Sequence, residues 1–169
     1  MSMNCIYWTT FHHENWQLYL AATDEGLCYV GTPNAPFEKL AAWVNKRFPG
    51  LPLEENDELT AVYREKLSQY LNGELRQFAL PLHLIGTPFQ MSVWQALQQI
   101  PHGRTCSYSD VAAQLGKEKA VRAVGTAIGA NPVLFVVPCH RVVGKDGSLT
   151  GYRGGMDVKE VLLKLEGVL

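Results

Sequence analysis

The sequence has no Cys-x-x-Cys pair: the four cysteines among its 169 residues, Cys5, Cys28, Cys106 and Cys139, stand far apart. That spacing excludes a zinc ribbon and a dithiol redox couple. Cys5, Cys28, His12, His13 and His83 fit no ligand spacing either, so no metal and no other cofactor is expected. No apolar run approaches the roughly 20 residues that a membrane span needs. The start, Met1-Ser2-Met3-Asn4-Cys5, lacks the charged stretch followed by an apolar one that marks a leader. A soluble cytoplasmic chain with reduced thiols and no membrane partner is therefore expected. Charged residues make up only 18%, and no repeat or low-complexity tract occurs, which excludes a disordered tail and a repeat array. Net charge is scarce too, at −1. At first sight this counts against a nucleic-acid partner, whose phosphates are bound by clustered Lys and Arg.

What the sequence does have is apolar material: 47% hydrophobic residues suffice for one core or two small ones. Divided before Gly86, the charge separates into six basic against ten acidic side chains in residues 1–85, and nine against six in residues 86–169. The first part reads as an α/β scaffold. β-rich stretches at Cys5–Thr10, Trp16–Ala22 and Leu27–Val30, separated by turn signals, predict an antiparallel meander. Phe37, Leu40, Ala41 and Val44 recur at helical spacing up to Phe48-Pro49-Gly50, and a second helix is predicted from about Asp57 to Leu71. Phe78-Ala79-Leu80 suggests one more strand. Nothing here gathers nucleophiles, acids or ligands.

From Gly86 the pattern is helical. Thr87-Pro88 opens a helix with Phe89, Val93, Trp94, Leu97 and Ile100 on one face, ended by Pro101-His102-Gly103. Ser109 caps a short helix through Leu115, and a third helix runs from about Ala120 to Asn131, where Asn131-Pro132 closes it. Two short helices joined by a tight turn containing Gly116 outline a helix-turn-helix. In the third helix Val121, Val124 and Ile128 form a buried stripe, while Ala123, Gly125, Ala127, Gly129 and Ala130 leave the rest nearly bare. Two interior glycines cost roughly 1 kcal/mol each relative to alanine, so they imply close approach of another backbone. That backbone is either a neighbouring element of the fold or a nucleic acid, with Arg122 as the one long cationic side chain along it.

Val136-Val137-Pro138-Cys139-His140-Arg141-Val142-Val143-Gly144 places a thiol, an imidazole and a guanidinium consecutively in an apolar, β-like run. Such groups are costly among valines unless paired or employed. A thiol reacts as thiolate, and a nearby histidine or cation favours that form, so Cys139 is a candidate nucleophile. Neighbouring residues of a strand face opposite ways. Either Pro138 bends the chain or a bridging water carries the proton to His140. Near the end, Asp157 and Glu160 resemble a capping box, and Val158, Val161, Leu162 and Leu165 form an apolar stripe. Glu166 sits in the last turn, where the helix dipole disfavours an anion. It is either a solvated surface carboxylate or the group that orients a histidine, which would complete a relay of nucleophile, base and orienter.

Pro138-Cys139-His140-Arg141-Val142-Val143-Gly144, with Arg122-Ala123-Val124-Gly125 and Asn131-Pro132 before it and Gly151-Tyr152-Arg153-Gly154-Gly155 and Lys159-Glu160 after it, resembles the O6-alkylguanine-DNA alkyltransferase family. The resemblance covers about Thr87 to Gly167, and implies a mainly helical, winged-helix-like domain in residues 86–169 carrying DNA binding and alkyl transfer. The first half, 1–85, is similar in general arrangement to the family's ribonuclease-H-like α/β domain.

By that resemblance Cys139 takes an alkyl group from O6 of guanine as a thioether, and whether it also takes one from O4 of thymine stays open. His140, through a water, and Glu166 keep the sulfur as thiolate, and Tyr108 assists protonation of the leaving guanine. Asn131 is the hinge between recognition helix and site. Arg122 enters the duplex in place of the rotated nucleotide, and Ser107, Tyr108, Ala123, Thr126, Ala127 and Gly129 contact DNA. Val142, Gly151, Tyr152, Arg153, Gly154 and Lys159 form the guanine pocket, with Arg153 where other members carry a small hydroxyl residue. The implied partner is double-stranded DNA bearing O6-alkylguanine, approached from the minor groove by a monomer that is consumed in one reaction. A base stacked in a duplex cannot line up with a sulfur, so the nucleotide is expected to be flipped out. The positive excess after Gly86, with Arg122, Arg141 and Lys159 inside the matched motifs, predicts weak, salt-sensitive, sequence-independent binding. Two other classes fit less well. A Cys-His hydrolase needs an oxyanion site for which no signal occurs, and a non-catalytic lesion-binding module would lack the intact Pro138-Cys139-His140-Arg141.

Overall fold

The first two β-rich stretches form a hairpin in the computed structural model, which describes residues 4–169. β1 (Ile6–His13) pairs antiparallel with β2 (Trp16–Thr23) across Glu14-Asn15, and Glu14 adopts φ +50°, the left-handed conformation that tight hairpin turns use. β3 (Gly26–Val30) adds antiparallel to β2. β4 (Leu53–Glu55) closes the order β3-β2-β1-β4, parallel to β1. Sequence patterning misses β4, because three residues, two of them glutamates, show no alternation.

The strand expected at Phe78–Leu80 does not form. Pro81 has no N–H to extend a ladder, and only an isolated bridge joins Leu27 and Leu82, with the Leu27 amide donating to the Pro81 carbonyl at 2.9 Å. α1 (Phe37–Arg47) buries Leu40 and Val44 against Ile6, Ala21 and Cys28 of the sheet. α2 (Ala61–Leu71) begins later than predicted, because Asn56 Oδ1 accepts the Leu59 amide at 2.9 Å and holds the preceding residues in a turn. The reading of Met1-Ser2-Met3 as leaderless lies outside the described residues. Among the described residues no helix is long and apolar enough to cross a membrane.

The chain divides between Ile85 and Gly86 into two compact units. In the second, α3 (Pro88–Leu97) starts from a capping box in which Thr87 and Gln90 each bond the other's amide. Buried Trp94 donates from Nε1 to the Ala127 carbonyl at 2.8 Å, which pins α3 to α5 (Val121–Gly129). α4 (Tyr108–Gln114) is capped by Ser107, not Ser109, through a second box with Asp110. α4 and α5, joined by a 3-10 turn at Glu118–Ala120, form the helix-turn-helix.

The β-like run after Asn131 is not a strand. Phe135 turns into the left-handed region at φ +69°, and Cys139–Arg141 forms a 3-10 turn. Only β6 (Val142–Val143) is extended, parallel to β5 (Cys106–Ser107). α6 (Met156–Leu165) starts at Gly155, φ +100°, without the Asp157 and Glu160 box. Val158, Leu162 and Leu163 are buried there, whereas Val161 faces outward.

Candidate functional site

Pro138, with ψ near 61°, tips the chain out of the extended run, so Cys139 and His140 lie on a 3-10 turn and are both buried. This resolves the orientation problem of a strand. Glu166, the C-cap of α6, is buried as well and collects four donors. His140 Nε2 lies 2.7 Å from Oε2, Arg141 Nη2 donates to Oε2 at 3.0 Å, and Arg141 Nε donates to Oε1 at 2.8 Å. The Gly103 amide donates to Oε1 at 3.2 Å. Glu166 is thus the orienter of His140, not a surface carboxylate. Arg141, part of the positive excess counted from the sequence, is its buried counter-ion, with Nη1 on the Ile100 carbonyl at 2.6 Å. The Glu166–Arg141 pair was missed because neither residue type nor spacing signals a contact between a turn and a distant helix end.

Burial lowers the pKa of His140 despite the Glu166 bond, so the ring is neutral near pH 7 and able to accept a proton. In an unfolded chain histidine titrates near 6.5. The stability that this group contributes is therefore complete above about pH 6.5 and is lost as pH falls below it. Denaturation midpoints are expected to fall between about pH 7 and pH 5, and a His140→Gln variant to lack that component of the fall.

Cys139 is 4% exposed. Burial raises its pKa, while the Asn131 amide and the charges of Arg153 and Lys159 pull it down. The net shift is upward, so the sulfur is a thiol near pH 7. Asn131 is itself fixed: Nδ2 donates to Sγ at 3.2 Å and to the Val137 carbonyl at 2.9 Å, and Oδ1 accepts the Val133 amide at 2.9 Å. Lys159 is fully buried, with Nζ donating to the carbonyls of Val142 at 2.6 Å and Thr150 at 3.1 Å. It ties down the loop that precedes α6.

Cys139 opens onto a cavity of about 410 Å³, a volume suited to one small ligand. Gly151, Tyr152 and Arg153 of the expected pocket residues wall it, together with Tyr108 and with Gly125, Ile128 and Gly129 of α5. Gly125 and Ile128 were not expected in the pocket, although their place on one helix face was legible. Val142, Gly154 and Lys159 do not line it. Val142 and Lys159 stand behind the wall, and Gly154 is buried against Tyr152 and Leu134. Tyr108 OH accepts from Thr150 Oγ1 at 3.0 Å and donates to the Gly151 carbonyl at 3.4 Å. Thr150, unmarked in the sequence, positions it.

A Cβ on Gly129 would meet nothing within 4 Å, and one on Gly125 would make ordinary contact with the Tyr108 ring at 3.6 Å. Packing within the fold therefore does not demand either glycine. A second hollow beside α5 is lined by Thr87, Phe89 and Gln90 with Arg122, Ala123, Thr126 and Ala127, so Arg122 stands exposed at the edge of the bare face. Ser107, by contrast, is occupied as the cap of α4.

Comparison with known proteins gives two matches along the chain. Residues 6–84 match the family described as 6-O-methylguanine DNA methyltransferase, ribonuclease-like domain, and residues 88–168 match its DNA binding domain. The sequence is 52% identical over 161 residues to the inducible methylated-DNA–protein-cysteine methyltransferase of Bacillus subtilis, covering 95% of this chain and 90% of that one. It is 42% identical over 164 residues to a methylated-DNA–protein-cysteine methyltransferase of Methanosarcina acetivorans, covering 96% and 99%. The fold is similar to that of Mycobacterium tuberculosis OGT, solved in complex with DNA, with a TM-score of 0.78 at 38% identity, covering 95% of this chain and 92% of that one.

Proposed function

Because the chain belongs to the 6-O-methylguanine DNA methyltransferase family, we propose that it repairs DNA directly, moving the alkyl group from O6 of guanine to its own Cys139. One observation carries the assignment of the acceptor: the buried thiol next to a neutral, Glu166-held histidine lies at a cavity whose rim is the bare face of α5.

The reaction runs in these steps. His140, through a bridging water, takes the Cys139 proton, and Glu166 stabilises the imidazolium that forms. The Asn131 amide and the Lys159 and Arg153 charges stabilise the thiolate. Sulfur attacks the alkyl carbon, the carbon–O6 bond breaks, and the electron pair leaves with guanine, which is protonated with help from Tyr108. A thioether has no exchange route back to thiol, unlike a disulfide. Each molecule therefore acts once.

A stacked base cannot present its O6 substituent in line with a buried sulfur, so the nucleotide is flipped into the cavity, at a cost of a few kcal/mol. α5 lies along the minor groove, with exposed Ala123, Thr126 and Gly129 offering almost no base-reading side chains, whereas Ala127 is buried and does not reach that face, and Arg122 fills the gap left in the stack. Residues 86–169 do this work as a monomer and residues 1–85 serve as scaffold. With Arg141 and Lys159 committed inside, seven of the nine cations of this half remain to meet phosphates, a modest number that makes binding weak, salt-sensitive and indifferent to sequence. Four free cysteines suit a cytoplasmic setting.

Incubation with a duplex containing O6-methylguanine is expected to add one methyl to the Cys139 peptide by mass. An unmodified Cys139 after loss of the lesion methyl would overturn the assignment. An Arg122→Ala variant is expected to slow methyl removal from duplex by about tenfold or more, because flipping loses its substitute in the stack, while reacting with free O6-benzylguanine at an unchanged rate. Equal slowing of both reactions would contradict a flipping role.

A further inference from the structure

The cavity at Cys139 has one charged side chain. Tyr108, Ile128, Tyr152 and three glycines line the cavity with the sulfur, and Arg153 is the single ionic group among the described lining residues. Its Nε–H donates to the Asn131 carbonyl at 3.0 Å, which holds the guanidinium next to the residue that touches Sγ. A guanidinium is a planar fork of five N–H donors whose shape matches a carboxylate. A methyl group gives that fork nothing to bind, and an apolar adduct that displaces water from it incurs a desolvation cost.

Building on the alkyl-transfer reading above, we propose that Arg153 is a specificity-determining residue that makes the site favour O6-guanine adducts ending in an anion, such as carboxymethyl, over neutral adducts of equal size. The reaction balances as for methyl. The Cys139 thiolate attacks the adduct methylene, a sulfur–carbon bond forms as carbon–O6 breaks, and the electron pair leaves with guanine, which takes up a proton. S-carboxymethylcysteine remains, its carboxylate against Arg153, and no oxidant or reductant takes part.

Two simpler roles for Arg153 make a different forecast. If its charge served only the Cys139 thiolate, or only a DNA phosphate, its removal would slow charged and neutral adducts alike. The ratio of the two rates isolates recognition of the adduct from both.

The test uses duplexes bearing O6-carboxymethylguanine or its neutral isostere O6-carbamoylmethylguanine, with single-turnover rates measured for the natural chain, Arg153→Gln and Arg153→Lys. The charged-to-neutral rate ratio is expected to fall by about tenfold in Arg153→Gln, the loss of a charge-assisted bond, and to recover in part in Arg153→Lys. An unchanged ratio in Arg153→Gln overturns the proposal. A second measurement needs neither variant nor DNA. Carboxymethylation of Cys139 by iodoacetate, relative to iodoacetamide and followed by peptide mass, is expected to exceed the same ratio for a small free thiol. A ratio at or below that of the free thiol overturns the proposal. Failure of the natural chain to demethylate an O6-methylguanine duplex would instead sink the alkyl-transfer reading, and the iodoacetate ratio would still report on the cavity's charge preference.

Discussion

A Cys139→Ser variant is expected to lose alkyl transfer entirely, with the O6-methylguanine content of a duplex unchanged after prolonged incubation, while its affinity for that duplex survives. A serine hydroxyl keeps the Asn131 bond and nearly the same volume, so the fold and the cavity persist. The neutral His140 beside it cannot ionise an alcohol as it can a thiol, because the thiolate is the form that acts as nucleophile. Binding and chemistry therefore separate cleanly. The two are read by gel shift on the lesion duplex and by quantifying O6-methylguanine in hydrolysed DNA. Residual transfer in this variant would mean that another atom accepts the alkyl group.

Removal of Glu166 has the second large effect, and it falls on stability as well as on chemistry. Both side chains of the Glu166–Arg141 pair are buried, Glu166 completely. Breaking a buried pair by deleting one partner costs about 3–5 kcal/mol, because the other charge is left uncompensated. Typical domains have only about 5–15 kcal/mol in hand. Glu166→Ala is thus expected to lower the stability of the second unit by about 3–5 kcal/mol, read from urea denaturation, and to halt transfer by releasing His140. Glu166→Gln keeps the shape and part of the bonding. It is expected to fold, with a smaller loss of stability and slow transfer that a rise in pH partly restores, since external base can then replace the unsupported histidine.

These expectations also mark what could be read from residues alone. The cysteine and its histidine stood out because polar and titratable groups are costly among valines, and Glu166 because an anion sits badly at a helix end. Both inferences rest on local energetics, which a sequence expresses directly. The role of Arg141 was misjudged for the complementary reason. Its neighbours Ile100 and Glu166 are brought to it by tertiary folding, and a count of charges cannot tell a buried counter-ion from a surface cation. The same limit applies to Lys159, fully buried on two carbonyls. In the fold, strongly periodic segments such as α1 and α3 were legible. β4 was not, since its pairing with β1 depends on a partner far along the chain. The extended run around Cys139 failed as a strand because Pro138 and the left-handed Phe135 turn it, and only the turned form places sulfur and imidazole in one buried site.

The glycines of α5 show how the two kinds of knowledge combine. Their cost in a helix was evident from sequence, and its cause was open between internal packing and an external backbone. With nothing within 4 Å of a Cβ on Gly129, and only ordinary contact at Gly125, the internal explanation lapses. The bare surface next to the Cys139 cavity is then accounted for by a partner that lies against it.

Transfer of the alkyl group to Cys139, with consumption of the protein, is the proposal on which the other expectations depend. Titration of a fixed amount of protein with an excess of duplex carrying tritium-labelled O6-methylguanine tests it most directly, with protein-bound label followed to completion and then located by peptide mapping. The expected result is a plateau at one methyl per chain, all of it on the Cys139 peptide, with no further repair when fresh duplex is added. Label that stays below one per chain while repair continues, or that settles on another residue, would contradict it.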